Sequence, residues 1–255
     1  MSENFQSYQQ EPSFTPEVKP MPFIDKLTGI FTSPSEVFEN LVKSKISLSD
    51  WLIPMLILIF LSIVSTFLKF GNEQIRDSLI QFQEKRFEQM VEQGKMTEEQ
   101  AEMARERLEQ IGGTQRIFSV IGVLIGIPVV FLIVTLVYFL LGKLFFGGKV
   151  EFMTVFTIYS LSSLILSVGV IVSTILAFLT GSFFASLSPA IFMEPSTDKA
   201  YVFASKFELF SLAQLVIFAV GLAKAFDKKY VQSFALVFGV WAVWVVLHLF
   251  VPFLG

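Results

Sequence analysis

The sequence predicts an all-α polytopic membrane protein, a bundle of five transmembrane helices with an N-terminal amphipathic helix and an extramembrane helical hairpin. Three observations predict it. Residues 51–70 read WLIPMLILIFLSIVSTFLKF, with no charge before Lys69. A helix rises about 1.5 Å per residue, so about 20 apolar residues match a hydrocarbon core about 30 Å thick. Four more apolar stretches follow, at about 117–146, 152–180, 207–226 and 231–254. The composition agrees: 53% hydrophobic against 16% charged, thirty Phe in 255 residues, and mean hydropathy +0.66. A soluble domain of this length cannot bury so much apolar chain.

Residues 1–20 are polar, contain three Pro and show no periodicity, which predicts a disordered tail. They hold no short apolar core behind a basic start, so no cleavable signal peptide is expected. Residues 21–50 form a second unit. Phe23, Ile24, Leu27, Ile30 and Phe31 recur at helical spacing. Ser33-Pro34-Ser35-Glu36 then reads as a helix start, with Ser33 as N-cap, Pro34 at the first position and Glu36 closing a capping box. Val37, Phe38, Leu41 and Val42 make an apolar stripe opposite Glu36, Glu39, Asn40 and Lys43. This is either an amphipathic helix lying in the membrane interface or a helix packed on the protein's own bundle.

Trp51 opens the first span at the level expected of an interfacial aromatic, and Pro54 falls in its first turn, where a missing N–H costs little. Residues 71–116 carry ten acidic and seven basic side chains over a thin apolar seam of Ile75, Leu79, Phe82, Phe87 and Met90. Gly94 ends one helix, and Thr97 with Gln100 starts another as a T-x-x-Q capping box. The reading is a solvated helical hairpin, either a docking surface or a pair held by i,i+4 ion pairs. The second span contains Pro128 and, like the third, is longer than one crossing requires. Segment 181–200 is too short to cross; its Phe183, Phe184, Ile191, Phe192 and Met193 predict a loop against the interface.

Five crossings put the termini on opposite sides. Loops 143–151 and 224–230 share the N-terminal side and hold five Lys against Glu151 and Asp227. The bias predicts a cytoplasmic N-terminus, although the seven basic residues of the hairpin oppose it.

The absence of Cys excludes thiolate nucleophiles, disulfides and Cys-ligated metals, and a single His excludes a His-rich metal site. The net charge of −3 leaves no basic footprint for nucleic acid. No cofactor-binding or catalytic signature is present. Candidate functional residues therefore lie inside the spans. Glu208, Ser211 and Gln214 share one stripe of the fourth, and a carboxylate within a span is costly enough to mark function, unless it sits in the headgroup zone. His248, on one face with Trp241 and Trp244, is either a proton relay with Glu208 or a satisfied structural group. Gly122 and Gly126 form GxxxG, and Gly169, Ser173, Ala177 and Gly181 form a longer small-residue stripe. Both spacings are read as helix packing, and they permit self-association or a protein partner.

Taken in order, several short patterns carry a family resemblance. They are Phe31-x-Ser33-Pro34 with Phe38 and Leu41; Trp51 with Pro54; Gly147-Gly148 ahead of Phe152, Phe156 and Ser160; and Glu208-Leu-Phe-Ser-Leu running into Gly221-Leu-Ala-Lys. Over residues 30–254 the chain resembles the bacterial branch of the Yip1 family of five-span membrane proteins. The resemblance implies an integral protein of the bacterial cell membrane with a cytoplasmic N-terminus. Eukaryotic members act in vesicle traffic and bind Rab GTPases. That partner is not carried over, because Ser47-Leu-Ser-Asp50 stands where they have an acidic D-L-Y-G-P-type stretch. The expected function is a non-enzymatic membrane scaffold or adaptor in membrane organisation or trafficking-like processes. The alternative is a solute, ion or lipid transporter or scramblase using the Glu208 stripe.

Overall fold

The computed structural model describes residues 19–109 and 114–250. Among these, every regular element is helical. The tail assigned to residues 1–20 lies, apart from its last two residues, outside the described residues. So do the hairpin's residues 110–113 and the end of the fifth span beyond Phe250.

The N-terminal segment makes two short helices, α1 (Phe23–Thr32) and α2 (Pro34–Lys43), and Pro34 takes the first position of α2. Ser33 does not cap it with its side chain, so the predicted Ser33–Glu36 capping box does not form. Ser33 also ends α1. Its N–H is bonded to Gly29 O at 2.7 Å and its carbonyl accepts from Glu36 and Val37, so the turn is closed by backbone alone. Val37, Phe38 and Leu41 are buried in the main core against later helices.

The first span is α3 (Leu48–Gly71), with Pro54 in its N-terminal part. The hairpin is α4 (Glu73–Glu92) and α5 (Glu98–Glu109). Asn72 caps α4 by accepting from Ile75 N–H at 3.1 Å. Gly94 turns the chain at φ +66°, a conformation that glycine adopts without steric cost. The Thr97–Gln100 capping box forms in both directions, at 3.0 and 3.2 Å.

Then follow α6 (Thr114–Phe146), α7 (Phe152–Ser162) and α8 (Leu164–Thr180). Helices α7 and α8 make one 29-residue apolar run broken by a single residue. Segment 181–198 contains a 3₁₀ turn at Pro189–Phe192, and α9 (Lys199–Ser205) leads into α10 (Leu209–Ala225). The chain's last described helix is α11 (Tyr230–Phe250). Helices α3, α6, α7–α8 and α11 are long and apolar enough to cross a membrane. The predicted fourth span differs: α10 has 17 residues and meets α9 at a bend of 51°. Phe207 and Glu208 end one hydrogen-bonded run and begin another, so the apolar stretch does not become one helix.

Helix α7–α8 runs through the centre, and Val155–Ile165 is buried almost without interruption. It lies between α3 on one side and α10 on the other, with α6 closing against α3 and α7. Helix α2 crosses α10, and α11 packs outside α10. Edge-to-face rings fill the middle: Phe131 on Tyr159 at 4.9 Å, and Phe218 on both Tyr138 and Tyr159 at 5.0 and 5.2 Å. Such pairs add about 0.5–1.5 kcal/mol each beyond their area burial. Helix α6 is the most outward-facing span, with 11% of its apolar run buried.

The two ends of the bundle gather different connections. At one end the α2–α3 link, the α6–α7 loop and the α10–α11 turn line a common groove. At the other, segment 181–197 lies along α4: Phe183 N–H donates to Ser78 Oγ at 2.9 Å, and Thr197 hydroxyl to Gln89 at 2.5 Å. The aromatic residues predicted for an interfacial loop pack here, Phe183 on Phe70 and Phe184 on Phe82, while Phe192 stays 92% exposed.

Candidate functional site

The fourth-span stripe is assembled at the start of α10. Glu208 is the N-cap, and its carboxylate accepts from Phe210 N–H at 3.0 Å and Ser211 N–H at 2.6 Å. An anion there satisfies two donors that the first turn leaves without intrahelical partners and faces the positive end of the helix dipole. The structure therefore gives Glu208 a structural task at the bend between α9 and α10. Ser211 takes part through its backbone. Gln214, one turn on, is 4% exposed, and its Nε2 has no hydrogen-bond partner among the described residues. Thr135 of α6 is likewise fully buried with an unpartnered hydroxyl. Such orphans are uncommon in folded interiors.

His248 does not join Glu208: no hydrogen bond links them among the described residues. Its ring lies 5.1 Å from that of Trp244, and Lys206 Nζ sits over Trp244 at 4.7 Å. Trp241 meets Phe207 edge-on at 5.4 Å. The Trp–Trp–His face of α11 thus seats the α9–α10 bend. We expect Glu208→Ala to destabilise the bundle by about 1 kcal/mol, the usual value of a lost N-cap, and Glu208→Gln by less. Thermal unfolding in detergent reads the difference.

The small-residue spacings divide. Gly169 faces α10 so closely that a Cβ would stand 2.7 Å from Phe210 Cβ. Ala177 is fully buried with Ile75 and Ala185. Ser173 hydroxyl bonds back to Val170 O at 3.0 Å. Gly181 is the C-cap of α8 at φ +69°, with Gln74 laid against it. By contrast, a Cβ on Gly122 or Gly126 would meet nothing within 4 Å. Among the described residues the GxxxG pair packs against nothing, because its face of α6 points outward.

The most unusual polar contact was not predicted. Lys26 Nζ of α1 lies 2.7 Å from Asp50 Oδ1 of α3, and the two side chains are 2% and 1% exposed. Asp50 Oδ2 also accepts from Ser47 N–H at 2.9 Å. Next to it, Ser160 hydroxyl of α7 donates to Trp51 O, and Trp51 meets Phe156 edge-on. A Lys four residues before Ile30 and an Asp three after Ser47 each read locally as a surface charge. Only the first-turn position of Asp50 hints at capping.

Nearby, Glu39 of α2 bridges Lys43 at 2.7 Å and Lys224 at 2.9 Å. Hydrogen bonds from Lys43 and then Lys224 hold its carboxyl down to about 2. Ser35 and Tyr230 hydroxyls are 2.9 Å apart. Together these contacts tie α2 to α10 and α11.

One family model, the Yip1 domain, matches residues 28–254. No curated protein and no solved structure matches the chain.

Proposed function

The chain belongs to the Yip1 domain family, and from this premise we propose a non-enzymatic scaffold or adaptor of the membrane in which it sits. Membership and four apolar helices of spanning length make it a polytopic membrane protein of the Yip1 type. The observation that carries the scaffold reading is the ring-packed centre of the bundle, where Phe131, Tyr138, Phe156, Tyr159 and Phe218 fill the space a solute path would need.

We read α9–α10 as one broken crossing, the fourth in chain order. The gathering of loops at alternating ends of the bundle supports five crossings and termini on opposite sides. The Lys-rich loops favour a cytoplasmic N-terminus in a bacterial cell membrane. Helix α1 would lie in the headgroup layer, with Ile24 and Phe31, 64% and 52% exposed, turned to lipid. The hairpin and the outer face of α6 remain the surfaces on which a protein partner or a second copy would act.

A second reading, transport or lipid scrambling along α10, is favoured by one observation, the buried Nε2 of Gln214, unpartnered among the described residues. Reconstitution in liposomes separates the two. The scaffold reading expects ion flux and lipid scrambling at the rate of protein-free vesicles. Wild-type flux that falls in Gln214→Leu would establish the transport reading in its place.

A further inference from the structure

The groove where the α2–α3 link, the α6–α7 loop and the α10–α11 turn meet has a volume of about 800 Å³. It opens at the ends of α3, α7 and α10, the level at which a bilayer places its headgroups. Lys45, Lys149, Glu151 and Asp227 all line it, all are exposed, and none forms an ion pair among the described residues. Glu39, by contrast, pairs with both Lys43 and Lys224. Ser44 lines the same groove with a buried hydroxyl oxygen that has no partner among the described residues. Apolar Leu48 and Met153, 63% and 39% exposed, stand in its wall.

We propose that this groove binds one phospholipid with a zwitterionic phosphoethanolamine headgroup, drawn from the leaflet on that side. The arrangement is complementary in both signs. The lysines and the Ser44 hydroxyl supply donors for a phosphodiester, and the two carboxylates accept from a primary ammonium. Leu48 and Met153 meet the first acyl carbons. A purely anionic lipid would leave Glu151 and Asp227 facing its charge. This goes beyond the scaffold reading and does not depend on it: a protein without flux can hold a lipid, and a transporter can hold one too.

The test is native mass spectrometry of the full chain released from nanodiscs containing equal phosphatidylcholine, phosphatidylethanolamine and phosphatidylglycerol. Wild type is expected to retain one phosphatidylethanolamine in excess. Lys45→Gln with Lys149→Gln should lower that retention at least about fivefold, the factor expected for a single lysine near anionic lipid phosphate. Glu151→Gln with Asp227→Asn should keep one lipid but shift the preference to phosphatidylglycerol. All four side chains are exposed, and unchanged melting temperatures will show that the variants fold. Lys85→Gln with Lys95→Gln, on the hairpin, should change nothing. An unselective lipid profile in wild type, a wild-type preference for phosphatidylglycerol, or equal retention in the groove and hairpin variants would overturn the proposal. So would binding of soluble glycerophosphoethanolamine as tight as that of the lipid.

Discussion

Lys26→Met is expected to destabilise the bundle by about 3–5 kcal/mol, the cost of leaving one member of a buried pair uncompensated. Asp50 would then be a carboxylate at 1% exposure with Ser47 N–H as its one remaining partner among the described residues. Asp50→Asn should cost nearly as much, since it strands the Lys26 ammonium while keeping an acceptor for Ser47 N–H. The double variant, Lys26→Met with Asp50→Asn, should return to within about 1–2 kcal/mol of wild type, because a buried ion pair gains little over a neutral replacement of similar volume. Denaturant unfolding in a fixed detergent gives all four corners of the cycle. The reason for so large an effect is where the pair sits. It fastens α1, which has few other contacts with the bundle, to the first turn of the first span. Two single variants within about 0.5 kcal/mol of wild type would show that the pair is solvated and that α1 is held otherwise.

Gly221→Ala is expected to destabilise by about 1–3 kcal/mol, the range for overpacking a filled core. The added methyl would collide with Ile158 Cγ2 and come within 3.1 Å of Phe38. Cγ2 hangs directly from the β-carbon of a branched side chain, so relief needs a rotamer change or a backbone shift. That one methyl would push α7 and α2 away from α10 together. Gly122→Ala with Gly126→Ala should do the opposite. Their faces are open, so each substitution should be neutral or stabilising by up to about 1 kcal/mol, the helix-propensity difference. Measured side by side in one detergent, the melting temperature should therefore fall in Gly221→Ala and hold or rise in the Gly122→Ala, Gly126→Ala variant. Equal losses from both would mean that α6 packs on a second copy through GxxxG.

This contrast marks what the sequence could and could not tell. The apolar runs of α3, α6, α7–α8 and α11 were legible because spanning length is a property of a continuous segment. Pro34 at the head of α2 and the Thr97–Gln100 box were legible because helix-start chemistry spans four residues. A small-residue spacing is local as well, but which face it serves depends on the partner helix. GxxxG on α6 was therefore read as packing and meets nothing among the described residues, while Gly221, not singled out as a packing position, lies close against Ile158 of α7. Lys26 and Asp50 lie 24 residues apart with no periodicity to join them. Their meeting depends on the Ser33 turn, which sets the direction of α1 relative to the start of α3. Glu208 was visible as a charge at the edge of an apolar run. Its capping role required knowing that α10 begins at Leu209 and not two residues earlier.

The proposed function requires the centre of the bundle to be closed to water. The chain contains no Cys, so single substitutions report accessibility without background. In intact vesicles, Gln214→Cys and Thr135→Cys are expected to resist a membrane-impermeant thiol reagent from either side and to react fully after denaturation, while Lys45→Cys reacts at once from its own side. Rapid labelling of Gln214→Cys in the folded protein would contradict a closed core and place a water path along α10.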